Sequence, residues 1–120
     1  MRPAFHDGFA CFAPHFADIN EGSPEGVHHY FDARQEQSFW FRGRRRILQS
    51  LVARYCPDAR SFLEVGCGPG FVLAGLRAVL PEAELVASEI YLHGLPYAAR
   101  RVSPPVEFIQ ADLPQRNALR

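Results

Sequence analysis

The sequence predicts an α/β fold in which parallel strands alternate with helices. Apolar runs of strand length lie near residues 61–65, 84–88 and 106–111, and segments with helical apolar spacing lie between them. A glycine-rich turn, GCGPG, follows the first run at residues 66–70. Strand, helix and strand at this spacing are typical of right-handed crossovers, which build a parallel sheet.

The composition is that of a soluble globular domain. The 120 residues are 48% hydrophobic and 22% charged, with a formal net charge of zero, which is enough for one core. The balanced charge argues against nucleic acid as a partner, and no stretch reaches the roughly 18–20 apolar residues of a membrane span. Three widely spaced cysteines and no leader-like N-terminus lead us to expect a cytoplasmic location.

The N-terminal segment, residues 1–37, differs in character from residues 38–120. Apolar side chains recur in it at steps of three and four, which predicts one face of a helix. The stripe consists of Phe5, Phe9, Phe12, Phe16 and Ile19. Gly8 and Pro14 weaken this helix, and NEGSPEG at residues 20–26 predicts a loop. We expect the stripe to pack on the core rather than to form a binding surface.

An amphipathic helix is predicted next, over about residues 44–55, and Pro57 ends it. Its apolar stripe consists of Ile47, Leu48, Leu51, Val52 and Tyr55. We interpret the arginines between residues 42 and 46 as a solvated face rather than a phosphate site, because the chain is neutral. Phe39 and Trp40 are expected to pack in the core rather than to cover a ligand.

The remaining elements alternate. The strand at 61–65 leads through the glycine turn into a helix over 71–80, which Pro81 ends. A second strand at 84–88 runs into Glu89, and a short helix near 95–101 follows with a proline in its first turn. The third strand, at 106–111, ends at Asp112.

Each of these three strands ends in, or runs into, a carboxylate: Glu64, Glu89 and Asp112. Ligands of open parallel sheets bind beyond the carboxyl ends of the strands. Neighbouring strands would therefore bring the three acids to one rim. That rim suits a ligand with hydroxyls and amines to donate, and it would repel phosphates.

The glycine turn excludes one common ligand and disfavours another. A nucleoside triphosphate loop ends in Gly-Lys-Ser/Thr, whereas Gly70 is followed by Phe71 and Val72. A dinucleotide fingerprint would place its last glycine at 71, which is Phe71 here. Glu89, 19 residues after Gly70, fits a dinucleotide or another adenosine ligand equally well.

The run Glu64-Val65-Gly66-Cys67-Gly68-Pro69-Gly70 resembles the first motif of class I S-adenosylmethionine-dependent methyltransferases, in which an acid precedes alternating glycines. Glu89 and the pair Asp112-Leu113 fall where that family places its second and third cofactor contacts. The stretch FWFRGRRRILQSL is similar to the segment that leads into the first helix of many bacterial members. The resemblance covers roughly residues 36–113 and implies a Rossmann-like parallel sheet with flanking helices.

The resemblance implies S-adenosyl-L-methionine as cofactor and residues 38–120 as the cofactor-binding half of a methyltransferase domain. The glycines would admit its amino-acid end and ribose, with Glu64 near the ammonium and Glu89 accepting from the ribose hydroxyls. Asp112 would accept from the adenine amino group, while Ile90 and the Leu113 backbone would contact the ring. The implied cofactor-binding set is Glu64, Gly66, Cys67, Gly68, Gly70, Glu89, Ile90, Asp112 and Leu113. Cys67 is expected to fill a tight turn rather than to act as a nucleophile.

The family's acceptor-orienting residues usually follow a fourth strand, which does not occur before Arg120, so no catalytic residue is assigned. A sheet that is truncated after its third strand leaves the edge of residues 61–65 open. We expect either a fragment of a longer methyltransferase or an edge covered by a second copy or by the Phe-rich N-terminal segment.

The expected acceptor is a small molecule. Two other functions stay open: a non-catalytic domain that binds a nucleoside ligand or assembles with a partner, and a less favoured NAD(P)-dependent oxidoreductase. Phe71 and Glu64 disfavour the oxidoreductase. No metal site is expected, because Cys11, His15, His28 and His29 lack the paired spacing of structural zinc sites.

Overall fold

The computed structural model describes residues 2–17 and 32–112. In this part of the chain five strands form one mixed sheet in the order β1-β2-β5-β4-β3. The strands are β1 (Ala4–His6), β2 (Phe9–Cys11), β3 (Ser61–Val65), β4 (Glu84–Glu89) and β5 (Val106–Gln110). The helices include α1 (Pro14–Ala17), α2 (Phe39–Tyr55), α3 (Phe71–Val79) and α4 (Leu95–Arg101), and a 3₁₀ turn, Leu92–Gly94, precedes α4.

The α/β prediction is confirmed. Strand β3 pairs in parallel with β4, and β4 pairs in parallel with β5, so the three predicted strands are neighbours. Helices α3 and α4 are the two predicted crossovers between them. Helix α2 begins at Phe39, earlier than the predicted start near residue 44. The prediction began too late because the aromatic residues that open the helix have weak helix propensity.

The main core lies between the sheet and helices α3 and α4. Its largest fully buried apolar side chains are Phe71, Leu73, Leu85 and Leu95, each of which contributes about 1.5–3 kcal/mol through burial. A smaller cluster on the other face of the sheet is built around Ile109 and Ala111. On β3 the side chains of Leu63 and Val65 are 46% and 59% exposed.

The N-terminal segment forms a hairpin over residues 4–11, so the predicted helix from Phe5 is wrong there, and among residues 2–17 only α1, Pro14–Ala17, is helical. Asp7 and Gly8, with φ of 51° and 86°, form a two-residue turn that places His6 opposite Phe9. A turn with two positive φ values favours Asp-Gly and matches the twist of a hairpin, which outweighs the helical spacing of the phenylalanines. The predicted loop at residues 20–26 and Ile19 lie outside the described residues.

The hairpin extends the sheet at the edge opposite to β3. Strand β2 pairs in parallel with β5, with Cys11 opposite Gln110, and the ring of Phe9 meets that of Phe108 edge-on at 6.5 Å. No strand of residues 2–17 pairs with β3, so these residues do not provide the edge cover that was one of the expected arrangements. In residues 2–17 and 32–112, β3 pairs only with β4.

Helix α2 contacts α3 through polar side chains. The Arg45 guanidinium lies 4.0 Å from the centre of the Phe71 ring, and the Gln49 amide donates to the carbonyl of Gly75 at 2.8 Å.

Phe39 and Trp40 are 81% and 66% exposed, so the prediction that they pack in the core is wrong. They line a cavity of about 340 Å³ with Gly43, Arg44, Ile47 and Leu48. None of the described helices has the length and apolarity that a membrane crossing requires.

Candidate functional site

The carboxyl ends of the three parallel strands surround a cavity of about 210 Å³. It is lined by Val65, Gly66, Ser88, Glu89, Ile90, Ala111 and Asp112. The structure therefore brings together four of the residues that the sequence singles out: Gly66, Glu89, Ile90 and Asp112. Leu113 lies outside the described residues.

The glycine turn is attached to the neighbouring strand by its backbone. The N–H groups of Gly66 and Cys67 both donate to the carbonyl of Ser88, at 2.8 and 2.9 Å. A Cβ added to Gly66 would meet no atom within 4 Å, so the turn exposes its backbone beside the cavity. Gly70 at the other end of the turn backs onto Ala98 of α4.

Glu89 is held in place by three backbone donors. Its Oε2 accepts from Gly68 N–H at 2.8 Å, and its Oε1 accepts from Ile90 N–H at 2.9 Å and Tyr91 N–H at 3.3 Å. The residue is only 8% exposed. Because an ionised carboxylate offers about four acceptor sites, Glu89 is oriented in advance and can still accept from a ligand hydroxyl.

Glu64 is the unsatisfied acid of the site. Its Oε2 is buried and has no hydrogen-bond partner in the part of the chain that the structure describes. Burial raises the pKa of Glu64 from its ordinary value of 4.5 to about 7; the Arg44 charge opposes this rise and the Glu89 charge adds to it. A buried acid of this kind favours a donor or a cation beside it.

The raised pKa of Glu64 predicts that stability falls with rising pH. Between about pH 4.5 and pH 7 the unfolded chain has lost this proton while the folded chain keeps it, so the loss grows to about 3 kcal/mol at neutral pH. Urea denaturation of wild type and Glu64→Gln at pH 4.5, 6 and 8 measures it. The difference between the two proteins should grow with pH, and a constant difference would contradict this account.

Cys67 fills the glycine turn. It is 6% exposed, and its thiol lies 3.5 Å from the carbonyl oxygen of Gly68. Burial, reinforced by the carboxylates of Glu89 and Glu64, raises the pKa of this thiol well above its ordinary range. The thiolate is the nucleophilic form, so the environment disfavours nucleophilic chemistry at this position.

The described residues contain no cluster of side chains that could hold a metal ion. No three His, Cys, Asp or Glu side chains in residues 2–17 and 32–112 come together as ligands for a metal ion. His28 and His29 lie outside these ranges.

Sequence reasoning missed two buried polar residues at the ends of the strands. Ser88 and Gln110 are 1% and 0% exposed. Ser88 anchors the glycine turn through its carbonyl, and the Gln110 side chain bonds to the backbone of two loops. The available signal was a polar residue near the end of an otherwise apolar run, one position before Glu89 for Ser88 and two positions before Asp112 for Gln110.

Comparison by sequence gives no match to a family model or to a curated protein. Comparison by structure gives several methyltransferases. CalS10, an amino pentose methyltransferase from Micromonospora echinaspora involved in calicheamicin biosynthesis, was solved with S-adenosylmethionine bound. It matches with a TM-score of 0.54 at 24% identity, over 71% of this chain and 34% of that one.

The plantazolicin methyltransferase BpumL matches in two further structures. With S-adenosylhomocysteine and a monoazolic desmethylPZN analog bound, it gives a TM-score of 0.55 at 17% identity, over 80% of this chain and 37% of that one. With S-adenosylhomocysteine alone, it gives 0.52 at 16% identity, over 90% and 40%. This chain thus spans between about a third and two fifths of the length of these proteins. Over the part that matches, it has the fold of class I S-adenosylmethionine-dependent methyltransferases.

Proposed function

We propose that this chain binds S-adenosyl-L-methionine in the 210 Å³ cavity and forms the cofactor-binding part of a methyltransferase. One observation carries the proposal: the ends of adjacent parallel strands bring Glu89 and Asp112 to one cavity beside Gly66 of the glycine turn, and Glu64 precedes that turn on β3. Acids in this arrangement match a cationic, hydroxyl-rich ligand without phosphate. The fold shared with the methyltransferases above supports the same ligand.

The chemistry of the site fits the two ends of this ligand. The unpartnered Oε2 of Glu64 suits the ligand ammonium, and the open backbone at Gly66 suits the approach of its amino-acid end. Glu89, whose carboxylate is already oriented by three amides, accepts from a ribose hydroxyl. Asp112 accepts from the adenine amino group while Ile90 packs on the ring. Leu113 is proposed to contact the ring through its backbone.

The bound cofactor supplies an electrophilic methyl group on a sulfonium, which is already a good leaving group. The contribution expected of this chain is to hold that methyl group in a fixed direction and to keep water from the nucleoside. The residues described here therefore bind and orient, and no acceptor base is assigned among them.

We propose a small molecule as methyl acceptor. The chain has 13 basic and 13 acidic side chains, so no excess of positive charge favours a polyanion such as RNA. Two exposed aromatic side chains, Phe39 and Trp40, line the larger apolar cavity on α2, a surface suited to an apolar compound.

A nicotinamide dinucleotide is the less favoured ligand. The last glycine of its fingerprint allows a helix to pack closely on a strand, and here Phe71 stands at that position with its side chain 2% exposed. Three acids near the turn would also repel a pyrophosphate.

Glu89→Ala is expected to weaken S-adenosylhomocysteine binding about 100-fold. The variant loses the hydrogen bond that a ribose hydroxyl donates to a charged acceptor, which is worth about 1.5–3 kcal/mol. Titration calorimetry of wild type and variant with S-adenosylhomocysteine and then NADH measures the effect. Glu84→Ala is the matched control, because Glu84 is the same residue type at the opposite, exposed end of β4, and it should bind like wild type.

Three outcomes would count against the proposal or part of it. If folded wild type does not bind S-adenosylhomocysteine, the cofactor is misassigned. If NADH binds wild type more tightly, the dinucleotide alternative is favoured. Equal affinity in Glu89→Ala and Glu84→Ala would remove Glu89 from the site while leaving the fold assignment intact.

A further inference from the structure

Gln110 is a polar side chain with no contact to water. It is 0% exposed and is the last residue of β5, between Glu89 on β4 and Cys11 on β2 in the register of the sheet. Directly opposed residues of paired strands point to the same face of a sheet. Gln110 therefore lies beside Glu89 on the face covered by the helices.

Both ends of the Gln110 amide are occupied by backbone groups of different loops. Its Oε1 accepts from Ala13 N–H at 3.0 Å, and its Nε2 donates to the carbonyl of Ile90 at 2.7 Å. A backbone N–H can only donate and a carbonyl can only accept, so these partners determine the orientation of the amide. One side chain thus connects the segment after the hairpin to the loop after β4.

The bond to Ile90 acts on the donors that orient Glu89. The Ile90 carbonyl belongs to the same planar peptide as the N–H of Tyr91, and that N–H donates to Oε1 of Glu89 at 3.3 Å. In a trans peptide the C=O and N–H point in opposite directions. Holding the carbonyl toward Gln110 therefore directs the N–H toward Glu89.

We propose that Gln110 is a positioning residue for the cofactor site: it holds the Ile90–Tyr91 peptide against Glu89 and anchors that peptide to the N-terminal segment through Ala13. Gln110 acts on the ligand only through Glu89 and Ile90. The inference rests on the proposed function, because the affinity that it controls is for an adenosyl ligand.

Two variants separate the bonds of Gln110. Gln110→Met keeps the length of the side chain and removes both bonds. Gln110→Glu keeps an acceptor for Ala13 but replaces the donor to Ile90 with a second acceptor. Ile109→Val is the matched control, because Ile109 is the adjacent residue of β5, is also buried, and packs in the cluster on the opposite face.

The experiment is titration calorimetry with S-adenosylhomocysteine and with its 2′-deoxy analogue, at a temperature where near-ultraviolet circular dichroism shows each variant folded. Both Gln110 variants should bind S-adenosylhomocysteine about tenfold more weakly than wild type, which corresponds to about 1.4 kcal/mol. The penalty for removing the 2′-hydroxyl should also shrink in them, because Glu89 no longer meets the ribose correctly. Ile109→Val should keep both the wild-type affinity and the wild-type penalty.

The results that would overturn the inference differ from those that would overturn the proposed function. Wild-type affinity in both Gln110 variants overturns the positioning role while S-adenosylhomocysteine binding still stands. A weaker affinity with an unchanged 2′-hydroxyl penalty also overturns it, because that result describes a purely structural residue. If wild type itself does not bind S-adenosylhomocysteine, the proposed function fails, and this inference fails with it.

Discussion

Arg77→Met is expected to lower the free energy of unfolding by about 4 kcal/mol. The guanidinium of Arg77, on α3, is buried and donates to five backbone carbonyls: those of Leu80, Pro81, Ala83, Ser103 and Pro105. Those of Leu80 and Ala83 belong to buried residues, and each loses about 1–3 kcal/mol when left without a partner. The remaining carbonyls belong to exposed residues and can bond to water instead.

Urea denaturation of wild type, Arg77→Met and Arg77→Lys measures this effect. Lysine keeps the charge but has three donors instead of five, so its loss should be intermediate. Arg42→Met is the control, since Arg42 is exposed on α2 and its substitution should change stability by under about 0.5 kcal/mol. A loss under about 1 kcal/mol in Arg77→Met would show that the five bonds do not hold these loops together.

Gly70→Ala is expected to lower stability by about 3 kcal/mol and the Tm by about 10 °C or more. Gly70 has a φ of 84°, and an added Cβ would lie 2.8 Å from Cα and 2.9 Å from Cβ of Ala98. The left-handed conformation costs about 1–2 kcal/mol for alanine. The overlap with α4 adds a similar amount, because the backbone of Ala98 must move.

Gly66→Ala separates these two contributions. Gly66 also has a positive φ, of 72°, but an added Cβ would meet no atom within 4 Å. Its substitution should therefore cost only the conformational part, about 1–2 kcal/mol. Thermal unfolding followed by circular dichroism compares the two variants at the same pH. Equal losses of Tm in the two variants would mean that the contact between Gly70 and α4 adds no cost to Gly70→Ala.

The central part of the fold could be predicted because its signals are local. The strands at β3, β4 and β5 are short apolar runs bounded by turn residues, and the helices between them repeat at helical spacing. Parallel strands that are neighbours share one carboxyl edge. The meeting of Glu89 and Asp112 at one cavity therefore followed from the order of the elements.

The N-terminal part could not be predicted in the same way. Phe5, Phe9, Phe12 and Phe16 satisfy helical spacing, but Asp7-Gly8 is a strong hairpin signal that this spacing concealed. The pairing of β2 with β5 joins residues about 100 positions apart in the chain, and no local pattern specifies such a contact. The pairing of the β1–β2 hairpin with β5, at the edge of the sheet opposite to β3, was therefore found only from the structure.

Two buried polar residues, Arg77 and Gln110, could not be recognised from the sequence either. Arg77 lies on the apolar stripe of α3, four residues after Leu73 and three before Leu80, and the sequence analysis assigned it no role. Gln110 is the last residue of β5 and lies on its inward face. The sequence pattern indicates only that the strand ends there, and it does not indicate a hydrogen bond to a distant loop. In both cases the partner is a backbone group, which the sequence does not identify.

In residues 2–17 and 32–112 one side of β3 has no paired strand, and under the proposed function this edge lies between recognition of the nucleoside and recognition of the methyl acceptor. Glu89 ends β4 and Asp112 follows β5, so both acids that would bind the nucleoside lie on the same side of β3. A strand that aligned in parallel beyond β3 would bring its own carboxyl end next to Gly66. Under the proposed function, the residues that bind the nucleoside thus lie on one side of Gly66. Different strands on its other side would present different acceptors to the same methyl donor.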